Sequence, residues 1–432
     1  MKHSIFALAS AQGRAGVSVI RLSGDKALWA TEQLTVQPLK PRHATYTALN
    51  YQGEVIDQAI VLYFPAPRSF TGEDCVELHV HGSRAILDRL YSLFVELGLK
   101  LAEPGEFSRR AVENGKIDLT QAEGIADLVD AETEAQRRQA LTQLDGGLRR
   151  RYEIWRTDLV DLMARLEVYI DFPDEHLPDD LSQAILARIE ALRDSLNAAV
   201  VDAERGRQIR DGYRIVILGE PNAGKSSLFN ALLKAEAAIV TPVAGTTRDI
   251  IEAQLRIGPY SVLLYDTAGL RETEEVVERE GIRRARAKAD EADLRLWLVD
   301  GAHPDLPTDM RPGDLVVFSK ADLVGGVSRE TSAHIISTVT GEGLPDLVSA
   351  IEQRVTEALS GQTFPAATRE RHRERLVMAR DQLDQALASQ LRVPELTAEN
   401  VRMALNSFEA LFGRYDVEGV LDVVFSTFCI GK

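Results

Sequence analysis

The spacing of apolar and polar positions divides the chain into stretches of different texture. From Ile5 to about Ile117, short β-rich runs (Val17–Leu22, Ala59–Phe64, Val76–Val80) alternate with turn residues, and one stretch, Arg84–Leu97, carries the three-and-four spacing of a helix. This predicts a small α+β domain over residues 1–117. From Leu119 the pattern lengthens: Gln121–Leu144, Leu148–Ile170 and Ser182–Arg207 repeat apolar positions at helical spacing with few glycines or prolines, which predicts a helical domain over 118–209. Around Gly212 apolar runs of strand length return (Arg214–Leu218, Ser261–Tyr265, Leu294–Val299, Leu315–Phe318), separated by helical patterns. Stacked βαβ units and a parallel sheet are expected over 210–361. Helical texture resumes in Arg369–Leu391 and Glu399–Phe412 and ends in the apolar Val420–Ile430. The simplest arrangement is an α/β domain inserted into a discontinuous helical domain whose second part is 362–432. The fold class is therefore α/β and α+β, multidomain.

A length of 432 residues suits about two to four domains, and 45 % apolar with 27 % charged residues is an ordinary globular balance. No apolar run approaches the length a membrane-spanning helix needs. The apolar segment Ile5–Ala11 is too short for a secretory signal and is followed at once by Gln12, Gly13 and Arg14. The only cysteines, Cys75 and Cys429, have no close-spaced partner for a disulfide framework or zinc site, and a reducing cytoplasm is expected. Acidic residues outnumber basic ones 66 to 50, a net charge of −16, which opposes nonspecific attraction to nucleic acid. A nucleic-acid partner is then met locally or through another protein.

The densest chemistry is Gly219-Glu220-Pro221-Asn222-Ala223-Gly224-Lys225-Ser226, the G-x-x-x-x-G-K-[ST] phosphate loop, set between a predicted strand and the helical Ser227–Leu233. Its glycines let backbone N–H groups converge on phosphate oxygens; Lys225 reaches the β/γ-phosphates and the Ser226 hydroxyl suits Mg²⁺. Asp266-Thr267-Ala268-Gly269 closes the next strand, placing a carboxylate near the metal and a glycine N–H near the γ-phosphate. Thr247, in the segment between, is the natural second Mg²⁺ ligand. Ser319-Lys320-Ala321-Asp322 resembles the guanine-reading N-K-x-D motif, with Ser319 in place of asparagine, which predicts a weaker hold on the base. Ser337-Thr338-Val339 resembles the S-A-K motif with Val339 in place of lysine. Leu270 stands where Ras-like switches carry a water-orienting glutamine, so the carboxylates of Arg271–Glu278 are the candidates for that role.

Taken together, Pro221–Leu228, Ala244-Gly245-Thr246-Thr247-Arg248-Asp249, Asp266–Arg271 and the terminal Cys429-Ile430-Gly431-Lys432 resemble the MnmE (TrmE) family of bacterial tRNA-modification GTPases, across essentially the whole chain. Val19–Gly24, Ser69–Asp74 and Pro104–Ala111 resemble that family's folate-binding domain. The GTPase motifs alone are shared with ribosome-assembly GTPases, the alternative reading; a folate-dependent one-carbon enzyme with a regulatory GTPase domain is another. The resemblance implies a Ras-like GTPase domain and a homodimer joined through its N-terminal domains. It implies GTP hydrolysis with Mg²⁺ and K⁺, the K⁺ held by Asn222, Thr241, Val243 and Thr246, and water oriented by Glu278. It places Ala223, Gly224 and Ser227 in the nucleotide site, and assigns folate contacts to Arg21, Glu77, Lys116 and Lys432 and one-carbon transfer to Cys429. The folate would be 5,10-methylene- or 5-formyl-tetrahydrofolate. The implied partner is the FAD-binding MnmG (GidA), in a heterotetramer that modifies carbon 5 of the tRNA wobble uridine.

Cys75, Trp155, Trp297 and Phe425 read as core, and His79 and His81, without a third ligand nearby, read as packing or turn residues rather than a metal pair.

Overall fold

A computed structural model describes residues 3–171, 181–235, 251–266, 287–323, 333–361, 363–413, 417–426, 428 and 431. The chain forms two compact units, one comprising Met1–Ala126, Gln143–Arg193 and Met378–Lys432, the other Asp127–Thr142 and Asp194–Val377.

In the first unit a six-stranded sheet is built from β1 (Ile5–Leu8), β2 (Ala15–Ser23), β3 (Thr45–Tyr51), β4 (Glu54–Phe64), β5 (Cys75–Gly82) and β6 (Lys100–Leu101), in the order β3-β4-β5-β2-β1-β6. Only β1 and β6 are parallel. Alternation decides the faces: Ile20, Leu22, Val76, Leu78 and Val80 point into a core shared with Leu90, Leu93 and Phe94 of the helix Arg84–Glu96. The residues between them, Arg21, Glu77 and His79, therefore line the opposite face. Part of that face is covered by Phe107 and Phe70, packed on Ile5 and Ala7. Further along the chain, Tyr152 and Trp155 of the long helix Gly147–Asp171 stack at 6.0 Å and meet Phe408 of the helix Pro394–Leu411.

In the second unit β7 (Tyr213–Gly219), β8 (Ile251–Ile257), β9 (Tyr260–Asp266), β10 (Leu294–Asp300), β11 (Leu315–Ser319) and β12 (His334–Ile335) form a sheet in the order β12-β11-β10-β7-β9-β8. All neighbours are parallel except β8, an antiparallel edge strand on β9. The parallel sheet is as expected; β8 was not anticipated, although Ile-Glu-Ala-Gln-Leu-Arg-Ile alternates with period two before the Gly258-Pro259 turn. Inside the sheet the strands read as apolar runs because both faces are covered.

The predicted helix over Gln121–Leu144 is two helices, Leu119–Asp130 and Glu134–Leu144. Thr133 and Gln136 form a reciprocal cap at the break: Gln136 N donates to Thr133 Oγ1 at 3.4 Å, and Thr133 N donates to Gln136 Oε1 at 3.0 Å. The predicted Ser182–Arg207 helix extends to Leu181–Asp211 and stops at Gly212, whose φ of 99° turns the chain into β7. Trp297 is half-buried rather than core, its indole Nε1 donating to Asp314 Oδ2 at 2.9 Å.

Candidate nucleotide site and N-terminal cluster

β7 ends at Gly219, and the loop that follows opens the helix Lys225–Ala235. Gly219, Asn222 and Gly224 adopt φ of 146°, 65° and 96°, the left-handed backbone that turns successive N–H groups toward one side. A Cβ at Gly219 would collide with the Leu298 carbonyl on β10, so glycine is required there for close approach as well as for φ. Lys225 is buried and spans the loop, its Nζ donating to Gly219 O at 2.9 Å and Glu220 O at 2.8 Å. Burial pulls its ammonium below the ordinary lysine range, and the nearby Asp266 carboxylate opposes that shift. Asp266 closes β9 fully buried, in register with Ile217 of β7, which puts a carboxylate at the same sheet edge as the loop. Ser226 and Ser227 are exposed on the first turn of the helix, and Asn222 is exposed on the loop. A serine hydroxyl and a carboxylate are hard oxygen donors, the set that fits Mg²⁺.

Beside the loop lies a cavity of about 250 Å³, with Ala223, Gly224 and Ser227 on one side and Ser319, Lys320, Asp322, Thr338 and Val339 on the other. The predicted base residues thus meet the phosphate loop although they lie roughly a hundred positions away in sequence. Ser319, buried at the end of β11, has two backbone acceptors for its one hydroxyl proton, Ala223 O at 2.7 Å and Val299 O at 3.2 Å. Ser337 Oγ donates to Asp322 Oδ1 at 2.6 Å and accepts from Val339 N and Thr340 N at 3.2 and 3.1 Å, fixing the carboxylate. Lys320, at φ 58°, carries its ammonium to Asp300 Oδ2 at 2.6 Å. That contact holds the Asp300 carboxyl below its usual range, helped by the Ala302 N–H. Val339 is 82 % exposed at the cavity rim.

In the first unit, three of the four expected folate residues, Arg21, Glu77 and Lys116, are described. Arg21 Nε donates to Glu77 Oε1 at 3.0 Å, and its guanidinium lies 5.1 and 5.8 Å from the ring centres of Phe70 and Phe107. Lys116 Nζ donates to Pro67 O at 2.8 Å, at the start of the loop that carries Phe70. Arg110 ties two motif segments together, pairing with Glu73 at 2.9 Å and Glu106 at 2.7 Å and donating to His3 O at 2.7 Å. Gly431, with φ 101°, packs on the Leu8 carbonyl at the end of β1, next to the strand that bears Arg21. Gly431 of the C-terminal motif thus belongs to the unit that holds Arg21, Glu77 and Lys116. The donor set suits the group: guanidinium and ammonium for the carboxylates of a glutamate tail, a carboxylate for the donor edge of a pterin.

Thr241, Val243, Thr246, Thr247, Thr267, Ala268, Gly269, Glu278, Cys429 and Lys432 lie outside the described residues. Cys75 is buried as expected. His79 and His81 each face a carboxylate, Glu77 at 3.7 Å and Asp57 at 2.7 Å, and among the described residues no cluster of three metal-ligating side chains occurs. Sequence reasoning missed Asp300; its signal was an aspartate ending an apolar strand, as Asp266 does. It also missed Arg110, which only the fold joins to Glu73.

Residues 4–116 match the family model described as "GTP-binding protein TrmE N-terminus", and residues 119–429 match "MnmE helical domain". The chain is 50 % identical over 449 residues to a "tRNA modification GTPase MnmE" of Caulobacter vibrioides, covering 100 % of both chains. Proteins of the same name from Phenylobacterium zucineum and Maricaulis maris are each 48 % identical, again over 100 % of both chains. No helix among the described residues is long and apolar enough to cross a membrane. With full-length relatives of one name and both family models matched, the chain belongs to the MnmE (TrmE) family of tRNA modification GTPases.

Proposed function

We propose that this chain is a K⁺-stimulated GTPase that works with an FAD-binding partner of the MnmG (GidA) kind to modify carbon 5 of the tRNA wobble uridine. The product group is carboxymethylaminomethyl or aminomethyl, set by glycine or ammonium as co-substrate. One observation carries the reading: the phosphate loop, Asp266 and a base-sized cavity converge at one edge of a parallel sheet, in a chain whose relatives are tRNA modification GTPases along their whole length.

Ser226, Asp266 and Thr247 would hold Mg²⁺, and Asn222, Thr241, Val243 and Thr246 would hold K⁺, which offsets charge developing between the phosphates. Lys225, buried and held across the loop by two of the three N–H donors of its ammonium, offers the third to the β/γ-phosphates. Thr267, Ala268 and Gly269 border the γ-phosphate, Glu278 orients water, and Asp322 reads the donor edge of guanine. Arg21, Glu77, Lys116 and Lys432 bind the folate, whose role when bound is to supply the one-carbon unit; Cys429 assists transfer. We place this activity in the cytoplasm, in a homodimer joined through residues 1–117 and assembled with the partner as a heterotetramer. In this division 118–209 and 362–432 form the helical domain and 210–361 the GTPase domain, whose hydrolysis cycle drives dimerisation and rearrangement. With a net charge of −16, tRNA is held largely by the partner.

The test is reconstitution with the partner, tRNA, GTP, methylene-tetrahydrofolate and glycine or ammonium, read by mass spectrometry of tRNA nucleosides. Modified wobble uridine that disappears when GTP or the folate is withheld is expected. GTP turnover without modified uridine, together with cosedimentation on ribosomal subunits, contradicts the proposal and favours the ribosome-assembly reading.

A further inference from the structure

We infer that Ser319 does not read the base but tethers the base loop to the phosphate loop, so that guanine is held without a side-chain donor from this position to its N7 edge. The inference deepens the guanine reading above and rests on it. A serine hydroxyl has one proton, and two backbone acceptors from different elements surround it: Ala223 O of the phosphate loop at 2.7 Å and Val299 O of β10 at 3.2 Å. Ser319 is buried, so the proton has no water alternative. Its remaining lone pairs are acceptors, and N7 and O6 of guanine are acceptors too, so they do not bind one another. An asparagine here would bring two amide protons, enough to hold the loop and reach the base together.

The neighbouring charged donor at this wall, the Lys320 ammonium, is drawn to Asp300 at 2.6 Å. Discrimination then falls on the Asp322 carboxylate, which Ser337 orients through Oδ1 and which accepts from the N1 and 2-amino donors of guanine. Ser319 then contributes to affinity for any nucleotide by holding Ala223, and contributes nothing to N7 recognition.

The experiment is competition of GTP, 7-deaza-GTP, ITP and ATP against a fluorescent GTP analogue on the full-length protein with Mg²⁺. 7-Deaza-GTP, which lacks the N7 acceptor, is expected to bind within about twofold of GTP, and ITP, which lacks the 2-amino donor, about tenfold more weakly. Ser319→Ala is expected to weaken GTP and 7-deaza-GTP equally, by about fivefold, and Ser319→Thr to restore the loss. A wild-type preference for GTP over 7-deaza-GTP of about tenfold that disappears in Ser319→Ala overturns the inference. So does a Ser319→Ala variant with unchanged affinity for both. If ATP competes as well as GTP, the guanine reading itself fails; if GTP is preferred but 7-deaza-GTP is rejected through Ser319, only the inference fails.

Discussion

Single side chains at both sites are held by partners far away in sequence, and this decides what their loss does. Asp300 anchors Lys320 at the wall of the base cavity, and its lowered carboxyl, set first by the Lys320 hydrogen bond, keeps it charged through neutral pH. A carboxyl depressed in the folded state contributes fully above its unfolded value of about 4 and loses its contribution only as pH falls through the lowered one. Asp300→Asn should therefore weaken GTP binding about two- to fivefold, by an amount that stays constant from about pH 5 to 8 when measured by nucleotide titration. Arg110 is the counterpart in the N-terminal domain: removing it leaves Glu73 and Glu106 half-desolvated without their shared cation. Arg110→Ala should cost about 3 kcal/mol in urea unfolding, whereas Arg109→Ala, whose ion pairs are more exposed, should cost under about 1 kcal/mol. The phosphate loop was legible because its residues are contiguous. Asp300 and Arg110 were not, because each acts through a residue that only the folded chain brings near.

At the level of elements, the strands and helices that apolar spacing defines were readable, and the misses have local causes. The break between Leu119–Asp130 and Glu134–Leu144 interrupts no apolar pattern; it is made by the Thr133–Gln136 cap, a signal of two polar residues inside a helical run. Losing the Thr133 side chain should lower stability by about 1 kcal/mol, seen as a shift of the urea midpoint without a change of slope. β8 escaped because alternation over seven residues is a weak signal beside long apolar neighbours. The most consequential position near the C-terminus is Gly431. Gly431 touches the end of β1 so closely that a Cβ would strike the Leu8 carbonyl. Gly431→Ala should displace the tail and weaken 5-formyl-tetrahydrofolate binding at least about tenfold by calorimetry while GTP affinity is unchanged. Unchanged folate affinity would place the folate site away from the tail.

Across the whole molecule, the phosphate loop and its cavity lie in one compact unit, and Arg21, Glu77 and Lys116 lie in the other. The compact units were not readable from texture: residues 127–142 and the end of the helix Leu181–Asp211 belong to the unit that holds the β7–β12 sheet. Asp293 makes this join, accepting from Arg207 and Gln208 at 2.9 Å and from Arg214 N at 2.7 Å. The central claim is a GTPase switched on by potassium, and the direct measurement is GTP hydrolysis by the purified protein in KCl against NaCl at equal ionic strength, with ATP as control. The account predicts turnover of GTP but not ATP, faster in potassium by about tenfold or more, as expected when one transition-state cation is supplied or withheld. Equal slow rates in both salts would contradict it, and would point to a switch activated by a protein partner instead.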